Sequence, residues 1–351
     1  MKQKEHLFAV YKAKLHKQYQ SSEEEAQRWI YFQKHMEKSD IWNDIAAKEA
    51  SKKGVKPTVH YGITPLADLS PEERKAMKGY EPFWDQTFVK KNPADGKLGS
   101  SLSGAVDFSL DICSSCTKFP ELSAITVETL PEEFDWRDMG AVTAIRNQGV
   151  CGDCWSFSTA DCAAGAWFLA GNDLVQLSAQ ELTSCDEYSY GCNGGYFGNT
   201  FTWIKEFGIM SEEGYPQDAA TWTQGITEAC NEAAVDQATF KAHLDAFSKV
   251  NVATEEELQL ALIRNGPLSI GVDAMSMEFY SSGVDPGLEC SGNMDHAVLL
   301  VGWGVEDGVK YWLVKNSWGD FWGEDGYWKA TFGKDTCMMA DMVFAAYADF
   351  E

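Results

Sequence analysis

The sequence predicts an α+β chain: a mainly helical front segment, followed by a larger body that is helical first and β-rich second. Three observations carry this. Apolar residues recur at three-and-four spacing through residues 7–53. An apolar stretch of helical period and length runs from Cys154 to Ala170. Residues 265–330 then hold short β-type runs, "GPLSIGVDA", "HAVLLVGWG", "YWLVKNSW" and "GYWKATF".

In chain order, Leu7, Val10 and Tyr11, then Trp29, Ile30, Phe32 and Met36, predict a helical hairpin. The serines of "SSEEEAQR", standing ahead of acidic residues, mark a helix start inside it. From Gly54 to Asp68, "GVKPTVHYGITPLAD" is punctuated by Pro and Gly with short alternation, which suits an extended strand. "SPEERKAM" offers a fresh cap and a short helix. After Gly79 the pattern dissolves, and residues 80–128, with "KKNPADGKLGSSLSGA", have linker composition. At "LPEEFDWRDMGAVTAIRNQG" the chain turns aromatic-rich and Gly-punctuated and stays so, which sets a domain boundary near Leu130. No internal repeat interrupts this order.

With 351 residues and 44% hydrophobic content, the chain can bury a substantial core spread over roughly two or three domains. Residues 1–129 hold 19 Lys and Arg against 18 Asp and Glu, whereas 130–351 hold 10 against 35, so the net charge of −24 lies on the larger body. Such a field excludes a nucleic-acid partner. Ten cysteines without a zinc-type pair of C-x-x-C units favour disulfides and an oxidising compartment, hence the secretory route. The start, "MKQKEHLFAVYKAKLHKQYQ", has no apolar run long enough for a signal core or a membrane span, so a removed or replaced signal peptide is expected and no membrane partner is. No Asn lies in an N-x-[ST] acceptor, and N-glycosylation is not expected.

The chemistry centres on "QGVCGDCWSFS", Gln148 to Ser158. Its C-x-x-C is either a metal knuckle or redox pair, or one structural cysteine beside one reactive one. A thiol becomes a nucleophile as its thiolate, favoured by a helix N-terminus and by a neighbouring imidazolium. Cys154 has the first by position. For the second, residues 130–351 contain only His243 and His296. His243 lies in "TFKAHLDAF", a surface-helix pattern, while His296 stands at the mouth of the apolar strand "HAVLLVGWG", where packing alone would not select it. His296 is the better partner. "KNSWGDFWGEDGYW" supplies Asn316 to orient the imidazole and Trp318 to cover that bond from water. Gln148 can set an amide beside the Cys154 N–H as an oxyanion hole.

On "DWR" at 135–137, "QGVCGDCWSFS", "GCNGG" at 191–195, "DHAV" at 295–298, "KNSWG" at 315–319 and "WGEDGY" at 322–327, the chain resembles a papain-like cysteine protease of the cathepsin L-type branch in zymogen form. The resemblance implies a two-lobed papain-like fold, with a helical left lobe presenting Cys154 and a β-barrel-like right lobe presenting His296, preceded by a mainly helical prosegment. It implies domains at 1–129 (1–79 a helical inhibitor unit, 80–129 an extended linker with a C-x-x-C) and 130–351. Glu24, Arg28, Phe32 and Asn43 match the prosegment helix signature, although its first Asn is His35 here and its Ile is Ser39. Gly62 and Asp68 match the following short motif, whose Asn and Phe are Thr64 and Leu66 here. Disulfides Cys151–Cys192, Cys185–Cys230 and Cys290–Cys337 are implied as well, which leaves Cys113, Cys116 and Cys162 beside the nucleophile. For Cys113 and Cys116 a local disulfide is expected, and for Cys162 a small buried hydrophobe.

By the same resemblance the enzyme is a cysteine endopeptidase with catalytic Cys154, His296, Asn316 and Gln148. Gly194, Gly195, Asp295 and Trp318 would line the cleft. The pocket for the second residue before the cut would comprise Phe197, Gly271, Ala297 and Met342, all apolar, which predicts preference for a hydrophobic side chain there. The implied partners are polypeptide substrates and the chain's own prosegment as intramolecular inhibitor. A monomer without metal or organic cofactor is expected, in a lysosome or vacuole or outside the cell. The alternative from another class is a catalytically silent homologue acting as a binding or inhibitory protein. Asp153 departs from the Ser usual before the nucleophile: it is either a carboxylate that disfavours the Cys154 thiolate, screened by exposure, or a harmless first-turn acid complementing the helix dipole. The excess acid of 130–351 suggests maturation triggered at low pH near Leu130.

Overall fold

The front segment is built around two helices, α1 (Lys2–Lys14) and α2 (Ser22–Lys52). The structure, a computed structural model, describes residues 2–80, 118–288 and 290–348. Ser21 caps α2 by accepting from the Glu24 N–H, and Glu24 reaches back to the Gln20 N–H. The two helices meet through Phe8, Tyr11 and Phe32, with ring centroids 5.1 Å apart on Phe32. The opposite end of α2 is tied to β1 (Val59–Tyr61). There the Asn43 side chain both donates to and accepts from the Tyr61 backbone, while His35 Nε2–H and Ser39 Oγ–H donate to the Gly62 carbonyl. Asp68 gathers Tyr11, Tyr19 and Lys17. A reciprocal Ser70–Glu73 capping box with Pro71 starts α3 (Pro71–Ala76), as "SPEERKAM" predicts.

The body opens with β2 (Phe134–Asp135) and then the helical part: α4 (Cys154–Leu169), α5 (Ala179–Cys185), α6 (Phe197–Phe207), α7 (Ala219–Gln224) and α8 (Glu232–Asp236). It continues with β3 (Ala246–Lys249), α9 (Glu255–Asn265), β4 (Leu268–Val272), β5 (Tyr280–Asp285), β6 (His296–Glu306), β7 (Val309–Lys315), β8 (Tyr327–Thr331) and β9 (Val343–Tyr347). The strands order as β1-β5-β8-β7-β6-β4-β9-β3, with β2 also pairing β6. The front segment therefore adds its own strand, antiparallel to β5, at one edge of the body's sheet.

α4 is apolar nearly all round, and such a helix is stable only when enclosed. It lies between the other helices and the sheet. Trp155, Phe197, Phe201, Leu299, Val301 and Phe344 form the core on that side, whereas Trp136, Leu258, Leu262, Trp303, Trp312 and Trp328 fill the other face. The Ser158 hydroxyl donates to the Val298 carbonyl at 2.7 Å, registering α4 against the start of β6. Disulfides link Cys151–Cys192, Cys185–Cys230 and Cys290–Cys337, and Cys154 and Cys162 are buried free thiols. Cys113 and Cys116 lie outside the described residues.

One element differs from its prediction. The stretch around His243 is not a helix: Ala242 bridges to Ile209, and burial alternates along Ala242, His243, Leu244 and Asp245. A period of two in "FKAHLD" puts Ala242 and Leu244 inside and leaves His243 exposed.

Candidate active site

Cys154 is the first residue of α4, where the opening backbone N–H groups have no partner within the helix. The Cys151–Cys192 bridge pins the loop before it. Its sulfur lies within hydrogen-bonding reach of the backbone at Ala297 and Gly79. Burial pushes the thiol up to about 12, opposed by those two backbone contacts.

His296 opens β6, fully buried. Its Nε2 is 2.8 Å from Asn316 Oδ1, and the same oxygen accepts the Ser317 N–H at 2.9 Å. An oxygen already taking one N–H must be the amide oxygen, so the imidazole donates to it from Nε2, and in the neutral ring Nδ1 keeps its lone pair. Nδ1 is buried without a partner among the described residues. Burial holds the ring neutral, lowering it to about 3 against the raising effect of Asn316, and Lys78 lowers it further. Trp318 stacks on the imidazole at 4.6 Å between centroids.

A buried ionic cluster aligns the strands that carry these groups. Asp161, two turns along α4 from Cys154, accepts from Arg146 Nη2 and Thr143 Oγ1 on one oxygen and from Lys315 Nζ on the other. Lys315 directly precedes Asn316, and Arg146 stands two residues before Gln148. The Gln148 N–H then donates to the Ser317 carbonyl at 2.8 Å, and Ser317 Oγ donates to Gln148 Oε1 at 2.7 Å. Gln148 Nε2, thus oriented, donates to the carbonyls of Cys151 and of Met77 in the front segment.

Residues 76–80 of the front segment run across this site. Gly195 N–H donates to the Gly79 carbonyl at 2.9 Å, and Tyr80 N–H donates to the Asp295 carbonyl at 3.2 Å. A Cβ on Gly79 would lie 1.8 Å from the Gly152 carbonyl oxygen, so only glycine lets the chain pass this close to the loop before Cys154. The Tyr80 ring is buried against Phe197 at 4.5 Å between centroids. A Cβ on Gly271 would stand 2.8 Å from that ring and 2.4 Å from Met294 Sδ. Ala297 belongs to the same apolar cluster, Met342 packs against it, and Gly271 N–H donates to the Met342 carbonyl. Lys78 bridges Glu278 and Asp295, and Arg74 joins it on Glu278.

Of the remaining sequence candidates, Gly194 spends its backbone closing the turn with Tyr190 and Gly191, and Trp318 touches His296 and Trp322. Sequence reasoning missed Met294, although it stands two residues before His296 as the strand pattern begins. It also missed Asp161, whose signal was an acid inside an otherwise apolar helix. Among the described residues no group of His, Cys, Asp or Glu is arranged to hold a metal ion, and no helix is long and apolar enough to cross a membrane.

Residues 130–347 match the family described as "Papain family cysteine protease", and residues 8–74 match the "Cathepsin propeptide inhibitor domain (I29)". The chain belongs to the papain family of cysteine proteases. It is 33% identical to the "Probable cysteine protease RD19B" of Arabidopsis thaliana, covering 96% of this chain and 85% of that protein. Among solved structures it resembles the digestive procathepsin L2 proteinase of Tenebrio molitor larval midgut, with a TM-score of 0.75, 28% identity, and coverage of 98% of this chain and all of that one. The digestive procathepsin L 3 of the same insect gives a TM-score of 0.72 and 26% identity, covering 98% of this chain and 99% of that one. The enzyme is thus a papain-like cysteine peptidase with a cathepsin-type propeptide inhibitor domain over residues 8–74.

Proposed function

We propose that this papain-family zymogen matures into a cysteine endopeptidase acting through Cys154, His296, Asn316 and Gln148. The single observation that carries the reading is that a polypeptide already lies in the cleft. Met77 offers its carbonyl to the Gln148 amide, Gly79 and Tyr80 hydrogen-bond to Gly195 and Asp295, and the Tyr80 ring fills the pocket of Phe197, Gly271, Met294 and Ala297.

Once residues 1–129 are removed by cleavage near Leu130, His296 Nδ1 takes the Cys154 proton. The thiolate attacks the substrate carbonyl carbon, and the resulting oxyanion is held by Gln148 Nε2–H and the Cys154 N–H. The imidazolium then protonates the departing amine as the C–N bond breaks, leaving a thioester. His296 next accepts a proton from water, the hydroxide adds to the thioester, and collapse expels the thiolate with the free acid. Asn316 keeps Nε2 occupied throughout, so Nδ1 is the nitrogen that exchanges protons. The pocket geometry favours a hydrophobic or aromatic side chain at the second position before the cut. The six disulfide-bonded cysteines suit the secretory route to a lysosome, a vacuole or the exterior.

Acid activation of the full chain under reducing conditions, followed by assay on internally quenched peptides, tests this. Activity that falls to background in Cys154→Ser and favours Phe, Tyr or Leu over Arg or Glu at the second position is expected. A Cys154→Ser protein that still cleaves would end the proposal.

A further inference from the structure

Asp153, immediately before Cys154, carries a side chain that is neither an exposed acid nor a cap for α4. It is 1% exposed, it accepts no N–H from the helix it precedes, and it points at α5. Its Oδ2 is 3.0 Å from Thr183 Oγ1, and its Oδ1 is buried without a partner. The exposure that would have screened its charge is therefore absent.

Counting hydroxyl protons decides its state. Thr183 Oγ1 has one proton and three oxygens within reach: Asp153 Oδ2, the Ala179 carbonyl at 2.9 Å and Ser156 Oγ at 3.0 Å. Ser156 Oγ directs its own proton to the Asp153 carbonyl at 2.8 Å. An ionised Asp153 would have a single hydroxyl donor for two buried oxygens, an arrangement that leaves a charge almost unsolvated. A protonated Asp153 donates from Oδ2 to Thr183, whose proton then goes to Ala179, and every O–H in the group is used. We propose that Asp153 is a positioning residue for Cys154: a buried acid kept neutral through its bond to Thr183 so that no anion opposes the thiolate at the start of α4.

The surroundings support the neutral form. Burial pushes the carboxyl up to about 8, against lowering by Thr183, the local backbone and Arg146. Arg146 is the charged group acting on it, from the segment before Gln148, and is itself engaged by Asp161 and Glu212. α5 presents the Thr183 hydroxyl, α4 presents Ser156 and Cys154, and Asp295 with Lys78 faces Cys154 from the β-rich side. Thr183, Ser156 and Arg146 all belong to the peptidase body, so loss of the propeptide leaves these contacts in place. Sign follows directly. Below about 8 the acid is neutral, and the helix N-terminus favours the thiolate unopposed. Above it, an anion stands beside both the thiolate and the oxyanion donor of Cys154 and disfavours each.

The inference rests on Cys154 being the nucleophile, and the test separates the two. Activated parent and Asp153→Asn are compared from pH 5.5 to 9.5 in kcat/KM and in the rate of Cys154 alkylation by iodoacetamide. The ratio of variant to parent cancels the titration of His296, shared by both. That ratio should climb by about tenfold through pH 8, the effect of a like charge adjacent to the thiol. A flat ratio, with cleavage still abolished by Cys154→Ser, would overturn the role of Asp153 and leave the peptidase mechanism standing. Asp153→Ser, the residue usual at this place in the family, gives the same comparison should the Asn variant not fold.

Discussion

His35 makes the propeptide's hold on the peptidase depend on pH in a way that can be worked out. The ring lies on α2 of the propeptide, stacked on Phe279 of the peptidase at 4.4 Å between centroids. Its Nε2–H is given to Gly62, and its Nδ1 is buried without a partner among the described residues. Burial lowers it from 6.5 to about 3; the Gly62 carbonyl raises it, Arg74 lowers it, Asp68 raises it, and Lys38 lowers it. Lifting the propeptide off Phe279 frees one face of the ring to water. Because the docked form requires the neutral ring, docking is undiminished above pH 6.5, weakens as pH falls below it, and stops weakening near pH 3. Each unit in that window costs at most about 1.4 kcal/mol, so two units cost up to about 2.7 kcal/mol, a ceiling on the order of a hundredfold in the docking equilibrium. His35→Asn keeps a donor for Gly62 and removes the titration. In a Cys154→Ser background, chosen to exclude self-processing on the proposed mechanism, release of a propeptide severed near Leu130 by an added protease is followed by size-exclusion chromatography between pH 6.5 and 4.5. The parent propeptide should lose more affinity over that range than the Asn variant, by up to on the order of a hundredfold. Equal pH dependence in the two proteins would refute the reasoning.

Two further outcomes follow from the site. Gly271→Val places carbon where Met294 Sδ and the Tyr80 ring now sit, so kcat/KM for peptides with Phe or Tyr at the second position should fall at least about tenfold while Ala there is less affected. An unchanged ranking across a peptide panel would remove Gly271 from the pocket. Asn316→Ala strips Nε2 of its acceptor and frees the ring beneath Trp318, so kcat should fall on the order of a hundredfold with a smaller change in KM. A loss below about threefold would mean that Trp318 stacking alone holds the imidazole.

The residues proposed as catalytic stand out in the sequence because each is chemistry out of place: a thiol at a helix start, a histidine at the mouth of an apolar strand, an amide among aromatics. The hairpin, the capping box at Ser70 and the strands at 268–272, 296–306 and 327–331 were legible because periodicity and turn chemistry agree locally. What stayed hidden depends on which distant elements meet. Nothing in "CGDCW" shows that Thr183, thirty positions on, closes over Asp153. The pairing of Asp161 with Lys315 spans 154 positions. The stretch at His243 reads as helix because the nine residues of "TFKAHLDAF" carry too little pattern to separate a period of two from a period of 3.6. β9 escaped because "VFAAY" is short and lies beyond the strand runs that signalled the rest of the sheet.

On the proposed mechanism, latency in this chain combines steric cover with electrostatics. Cys154 and His296 are each held neutral by burial, the thiol pushed up to about 12 and the imidazole lowered to about 3, at a site that residues 76–80 cross. Lys78, placed between Glu278 and Asp295, adds a positive charge that further disfavours an imidazolium. An ion pair between the two is therefore opposed from both sides while the propeptide is seated. On the proposed mechanism, departure of the strap takes Lys78 away and readmits water, both of which raise the imidazole. The same few residues that cross the cleft also bring Lys78 against His296, so on the proposed mechanism lifting them both opens the cleft and removes a cation that opposes an imidazolium.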